Sequence, residues 1–340
     1  MIGALDASPL AVLTANAAAI RDKLGTVTEQ STSGLVSQSY AGLGANARVS
    51  MDLRPQIAHA AAYSANIDAA SGRLGVTQAA LSQLATIAST FNADLQKVDG
   101  VNSQEVDGVA ANARSALQQV AALLNTKDGD TYVFAGQDSA TPPVADANGI
   151  LSSTFFTGIR SAVSNLQAAG SAATASATLA VASPVTPSGT VPTVEAGPGE
   201  RVPVGLLASA NTLATSSGPS TTGSYVHDLL RSLATIGSLS SSQAGTADFH
   251  ALVADTRTSL DGAITAMATE TGALGDIQSS LGARQSSLSA TQTALKSQVS
   301  SVEDVDMAAT LTKLSSLQTQ LQASYQVIAG VKNLTLANIL

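Results

Sequence analysis

Three histidines, His59, His227 and His250, are the only imidazoles among 340 residues, and there is no cysteine. A metal centre built on histidine needs a second ligand at short spacing, as in His-Glu-x-x-His on one helix face. None of the three has one. His227-Asp228 and Asp248-Phe249-His250 set an imidazole beside a carboxylate, a pairing able to move a proton. Isolated pairs of this kind are usually surface polar residues, and both are read so. Glu303, Asp304 and Asp306 concentrate negative charge that a hard cation would accept. They equally suit a solvated turn ahead of a helix, whose first amides favour negative charge, and this is the reading adopted. Gly42-Leu43-Gly44-Ala45-Asn46-Ala47 matches the dinucleotide fingerprint, but that motif follows an apolar strand. Here Ser37-Gln38-Ser39-Tyr40 precedes it, which marks a helix break. Gly197-Pro198-Gly199 lacks the Lys-Ser/Thr of a phosphate loop and is a turn. No catalytic, cofactor-binding or metal-binding residue is nominated, and the chain reads as a non-enzyme.

The strongest signal is periodic. Leu10, Leu13, Ala17, Ile20, Leu24, Val27, Ser31 and Gly34 follow one another at alternating steps of three and four. Such a seam returns to one face of a supercoiled helix. Pro9 suits a helix start, and Ser39 to Gly44 a break. A second helical run is placed after Pro55, from Tyr63 through Leu74, Leu81 and Leu95 to Asp99-Gly100. A shorter helix over Val106 to Leu124 follows, able to pack antiparallel against it. Helix returns near Tyr225, with Leu229, Leu233 and Ile236 on one face. Further seams run from Phe249 to Met267 and from Leu274 to Val302, and the last takes Leu314, Leu317, Leu321, Tyr325, Ile328 and Val331.

Between these runs the pattern is lost. Tyr132-Val133-Phe134 is strand-like, and Thr141-Pro142-Pro143 forbids helix. Residues 168–195, mostly Ala, Ser, Thr and Gly with scattered Pro, read as short strands and loops. Val191 to Val204 suits one or two strands about Gly197-Pro198-Gly199. The fold expected is mainly α: long helical coiled-coil N- and C-terminal ends packed together, with a smaller irregular, β-containing middle domain. The segments are 1–48 (assembly helix), 49–130 (rod), 131–222 (variable middle), 223–303 (rod) and 304–340 (assembly helix).

Aromatic residues make up 3 % and charged residues 12 %, the latter against ~25 % in an average domain. Small aliphatic side chains must fill the interior, which suits slender helices packed along their length. Net charge is −8. Binding to phosphate backbones needs clustered Lys and Arg, and no basic cluster exists, so nucleic acid is set aside. No run is apolar enough to span a membrane. MIGALDASPL has no basic n-region, so no cleaved secretory signal is expected.

A lone helix gains nothing from a seam. A buried Leu or Ile contributes ~1.5–3 kcal/mol only when something covers it. The terminal seams are therefore expected to pair with each other and with neighbouring copies, and to fold fully only on assembly, because ordering two chain ends costs entropy. The assembly interface expected is Leu10, Leu13, Ile20, Leu24 and Val27 together with Leu314, Leu317, Leu321, Ile328 and Leu336.

Three stretches carry a resemblance to the bacterial flagellin family, which includes filament flagellin and the hook-associated protein of the hook–filament junction. Ser31-Thr32-Ser33-Gly34-Leu35 is similar to the element that follows the family's first helix. LTKLSSLQTQLQASYQVIAGVKNLTLANIL, with Gln318, Gln322, Ala323, Ser324 and Tyr325, resembles its terminal helix. Thr131-Tyr132-Val133-Phe134-Ala135-Gly136 followed by Thr141-Pro142-Pro143 looks more like the junction protein. The acidic pair usual after the first helix is absent between Tyr40 and Asn46. The resemblance implies a structural subunit exported through the flagellar type III channel. Its implied partners are itself, other hook-associated proteins, flagellin and an export chaperone, and its implied place is the extracellular flagellum. A major filament flagellin is the alternative within the family. A secreted coiled-coil effector or adhesin is the alternative outside it.

Overall fold

The computed structural model describes residues 9–98, 103–186, 189–215 and 220–337. The chain divides into two compact units, one of residues 1–61 with 289–340 and one of residues 62–288.

The first unit holds α1 (Pro9–Ser33), α2 (Tyr40–Leu43), the start of α3 (Ala47–Val98), the end of α9 (Ala247–Glu303) and α10 (Met307–Ala337). Pro9 opens α1, where the missing amide costs nothing. Gly34 closes it at φ +74°, and its N–H donates to the Gln30 carbonyl at 2.9 Å. That left-handed C-cap is open to glycine without strain. The segment Gly42 to Ala47 forms the end of α2, a single 3-10 turn and the first residue of α3, a helix break as expected. The expected start after Pro55 is corrected: α3 begins at Ala47 and carries Pro55 inside it. Pro55 removes the helical donor to the Met51 carbonyl. Both residues lie on an exposed face, where the loss of one helical hydrogen bond is tolerated.

The second unit packs the rest of α3 against α4 (Ser103–Leu124), α5 (Thr154–Ser164), α6 (Leu166–Ala169), α7 (Ser171–Leu179), α8 (Tyr225–Ser238) and the body of α9. α3 and α4 lie antiparallel, with Ile87 near Gln119 and Phe91 near Asn112 along one groove. The expected end of α3 at Asp99-Gly100 falls outside the described residues. Leu74, Leu81, Leu117, Leu229, Leu233 and Leu260 are among the fully buried side chains of one continuous core. Ser153 and Ser224 start α5 and α8 by accepting the N–H groups of Phe156 (3.2 Å) and His227 (3.3 Å).

Two small antiparallel sheets complete this unit. β1 (Lys127–Asp128) pairs with β2 (Thr131–Tyr132), and β3 (Thr193–Gly197) with β4 (Glu200–Pro203). An isolated two-stranded hairpin is marginal in water, and each is tied down. Arg73 donates to the Thr131 hydroxyl and the Tyr132 carbonyl, both at 3.0 Å. Asn66 donates to the Glu195 carbonyl at 3.0 Å, and Arg284 pairs with Glu200. Val133, Phe134 and Ala135 continue β2 into the core. The reading of residues 168–195 as strands and loops is corrected by α7. Its buried Thr174 and Thr178 send their hydroxyls to the Gly170 and Ala175 carbonyls, both at 2.8 Å. A Thr-rich helix can thus be buried without leaving those groups unpaired.

Candidate functional site

The reading of the two histidine–carboxylate pairs as polar surface is corrected at His227-Asp228, which lies half-buried to buried in the second unit. His59 and His250 are exposed. Asp248 accepts the Ser171 N–H at 2.9 Å and so anchors the first turn of α7. His227 is half-buried against the Phe155 ring, and burial pushes its pKa down. Asp228 is buried and accepts the Thr222 N–H at 2.8 Å. Burial pushes its carboxyl up, opposed by that hydrogen bond and by Arg231. Arg231, only 1 % exposed, donates to Thr178 Oγ1 (3.1 Å), the Ser220 carbonyl (2.8 Å) and Ser259 Oγ (2.6 Å). Glu270 is fully buried, and one of its oxygens accepts three successive N–H groups, of Thr212, Leu213 and Ala214, at 2.7, 2.9 and 3.2 Å. These groups hold the long connection before α8 against α9. Sequence reasoning nominated neither Arg231 nor Glu270.

Among the described residues no three His, Asp or Glu side chains gather where a metal ion could sit. No described helix is long and apolar enough to cross a membrane. A groove of about 560 Å³ between α3 and α4 is lined by Gln83, Thr86, Ile87, Gln119, Ala122 and Leu123, none of them ionisable.

The terminal seams meet. α1 packs along α10, and the heptad positions face inward on both. On α1, Ala17 and Val27 are buried, while Leu10, Leu13, Ile20 and Leu24 are half-buried. On α10, Thr310 and Leu317 are buried, and Leu314, Leu321, Ile328 and Val331 are half-buried. The inward position after Leu321 belongs to Ser324, not Tyr325, which is 52 % exposed. Thr310, Leu314, Leu317, Leu321, Ser324, Ile328 and Val331 keep strict three–four spacing, and Tyr325 would break it by one residue. The side chain of Leu336 lies outside the described residues. A two-helix seam covers each apolar side chain on one flank only, so it realises only part of the ~1.5–3 kcal/mol that full burial of each would give. The outward faces keep further apolar side chains in water: Val12 on α1, and Met307, Leu311, Tyr325 and Val327 on α10.

The base of this helical pair is closed without a covalent turn. Val36 donates its N–H to the Glu303 carbonyl at 2.6 Å, and Val305 its N–H to the Gly34 carbonyl at 2.9 Å. Leu35 and Asp304 thereby form an antiparallel bridge. Asp306 then caps α10, its Oδ1 accepting the Ala308 and Ala309 N–H groups at 2.9 and 3.1 Å. The acidic cluster expected as one solvated turn is corrected at Glu303. Only 6 % exposed, it accepts from Ser50 Oγ and from Arg54 Nε (3.0 Å) and Nη2 (2.5 Å). The Arg54 and Ser50 hydrogen bonds hold its carboxyl below the usual carboxylate range.

Two family descriptions coincide with these parts. Residues 9–141 match the bacterial flagellin N-terminal helical region, and residues 258–340 match the bacterial flagellin C-terminal helical region. The chain belongs to the flagellin family. As a flagellin-family chain it is a structural subunit of the bacterial flagellum. The matches take in α1, α3, α4, α10 and most of α9, and they stop short of α5 to α8. A solved structure from Vibrio parahaemolyticus, described as a candidate flagellar hook-associated protein, has the same fold. It shares 11 % identity at a TM-score of 0.56, with 78 % of this flagellin-family chain and 99 % of the other covered. A search of curated protein sequences gives no match.

Proposed function

We propose that this chain is a subunit of the hook–filament junction that polymerises through its paired terminal helices. The carrying observation is the uneven cover of the α1/α10 pair. Its inner seam is only half-closed within the chain, and Val12, Leu311, Tyr325 and Val327 stay exposed on its outer faces. Val27 and Leu317 are already covered within the pair, and neighbouring copies would complete the cover of the half-buried Leu10, Leu13, Ile20 and Leu24, and of Leu314, Leu321 and Ile328. A contact joining different patches on successive copies does not close on itself and builds a helical array. The sparse charge, 12 % of residues, limits repulsion between copies. The chain works without catalysis.

The junction reading, in preference to the filament, is supported by Thr131 to Gly136 followed by Thr141-Pro142-Pro143. Phe134 of that segment is fully buried, and its carbonyl accepts the Ala208 N–H at 3.0 Å, so the motif is built into the second unit. The fold shared with the candidate hook-associated protein favours the same reading. Export proceeds through the flagellar type III channel, with an export chaperone shielding the terminal helices. Partners at the assembly site are other hook-associated proteins and flagellin. Labelling the protein in intact flagella tests this. A single band where hook meets filament supports the junction. Label along the whole filament assigns the chain to filament flagellin, and label elsewhere on the cell surface favours a secreted effector or adhesin.

A further inference from the structure

We infer that Asn148-Gly149 is a latent self-modification site, where the amide side chain converts to a carboxylate without an enzyme, and that Asp146 and Gln118 hold the conversion back. All four residues lie in the second unit, and their chemistry is the same whether or not copies assemble.

Asn148 is the only Asn in the sequence that is followed by Gly. In the conversion, the backbone nitrogen of Gly149 gives up its proton and attacks Asn148 Cγ. A five-membered imide forms as the Cγ–Nδ2 bond breaks, and the departing nitrogen takes up a proton and leaves as ammonia. Water then opens the ring at one carbonyl or the other. One opening leaves aspartate, and the other leaves isoaspartate, with the main chain routed through Cγ. The net change is one water gained and one ammonia lost. Glycine favours the attack because it has no Cβ to shield its nitrogen.

Two requirements of this reaction are met. Asn148 is exposed, and its carboxamide makes no hydrogen bond among the described residues. The third, a free Gly149 amide, is withheld. Its N–H donates to Asp146 Oδ1 at 2.8 Å, a charge-assisted bond. Removing that proton would break the bond and set an amide anion against a carboxylate. The peptide group must also turn towards Cγ, and it is held on both sides. Gln118 of α4 donates from Nε2 to the Asn148 carbonyl at 3.0 Å. The Gly149 carbonyl accepts the Ser152 N–H at 2.8 Å, within the single turn Ile150–Ser152 that the buried Ile150 anchors.

The same glycine carries the hazard and the protection. A Cβ at residue 149 would overlap the Asp146 carboxylate, so only glycine lets Asp146 sit over its amide. Conversion would add a carboxylate two residues from Asp146. Through isoaspartate it would also lengthen the main chain by one atom and pull the loop out of register with Gln118.

The test is prolonged incubation of the full chain in warm, mildly alkaline buffer. Mass spectrometry follows the acid and isoaspartate forms of the peptide containing residue 148. The proteins compared are wild type, Asp146→Ala, Asp146→Asn and Gln118→Ala, each shown to be folded by its thermal transition, with wild type unfolded in urea as the unprotected reference. Folded wild type should convert at least tenfold more slowly than the unfolded chain. Asp146→Ala should convert fivefold or more faster than wild type, and Gln118→Ala should show a smaller rise. Asp146→Asn keeps an acceptor oxygen and should stay near the wild-type rate. Equal rates in folded and unfolded wild type overturn the inference, and that comparison needs no variant. So does an Asp146→Ala chain no faster than wild type, because the carboxylate would then be idle or would act as a base that promotes attack. Absence of conversion at Asn148 in the unfolded chain would remove the site altogether.

Discussion

Replacing Leu317 by Ala should open the terminal hairpin, whereas replacing Tyr325 by Ala should leave it closed. Leu317 is 7 % exposed at the centre of the α10 seam, one position in the run that faces α1. Truncating a buried Leu to Ala costs about 2–5 kcal/mol in a closed core. A two-helix seam can collapse around the gap, which sets the expected cost near the lower end, ~2 kcal/mol. At 1.4 kcal/mol per factor of ten, this corresponds to roughly 30-fold faster exchange of the α1 amides across the seam. Tyr325, 52 % exposed, has its ring on the outer face; its loss should change α1 exchange less than threefold while weakening assembly onto hook ends. The assay is amide exchange of the monomer by mass spectrometry, followed by cosedimentation with hook fragments. Equal effects of the two substitutions on α1 exchange, or a larger one for Tyr325→Ala, would refute the register in which Ser324 faces inward.

Three further outcomes are expected. Arg231→Ala should destabilise the second unit by about 3–5 kcal/mol, the range for removing one partner of a buried charge cluster, and thermal unfolding of wild type against variant measures it. Glu270→Ala leaves the N–H groups of Thr212, Leu213 and Ala214 without their acceptor; at ~1–3 kcal/mol for each buried polar group so orphaned, the connection before α8 should become protease-sensitive while α1 and α10 keep wild-type exchange. Glu303 has a carboxyl held below its usual range in the folded chain, so its contribution is present above the unfolded carboxyl pKa and is lost as pH falls through the lower folded value; helicity of α1 and α10 by circular dichroism should drop in that acid window, and Glu303→Gln should abolish the dependence.

The helical parts of the fold were legible because an apolar seam is a one-dimensional pattern. Leu10 to Val27 and Leu314 to Val331 face inward at nearly every position that the three–four spacing selects. The slip at Tyr325 has a physical cause. A large ring outscores Ser324 for apolarity, although only the serine keeps the spacing, and in a slender seam spacing outweighs hydrophobicity. Helix α7 was illegible because Ala, Ser and Thr are compatible with several backbone conformations; tertiary burial of its Thr174 and Thr178 face decides for helix, and nearby carbonyls satisfy the two hydroxyls. Pro55 misled in the opposite sense, since a proline on an exposed face can sit inside a long helix at the cost of one hydrogen bond. The contacts of Glu303 with Ser50 and Arg54 could not be read at all. Ser50 and Arg54 lie one turn apart on α3, but their partner stands 249 residues beyond Arg54, and nothing local distinguishes Glu303 from its solvated neighbours Asp304 and Asp306. Arg231 and Glu270 were hidden likewise, because their burial depends on contacts distant in sequence.

The central claim is that the terminal helices join one subunit to the next. The most direct measurement is sedimentation of purified full-length chain, alone and with hook fragments, beside a chain lacking residues 306–340. The full chain should pass from monomer to polymer or hook-bound form as concentration rises, while the truncated chain stays a soluble monomer at every concentration. Normal assembly by the truncated chain, or a full chain that stays monomeric and ignores hook ends, would contradict it.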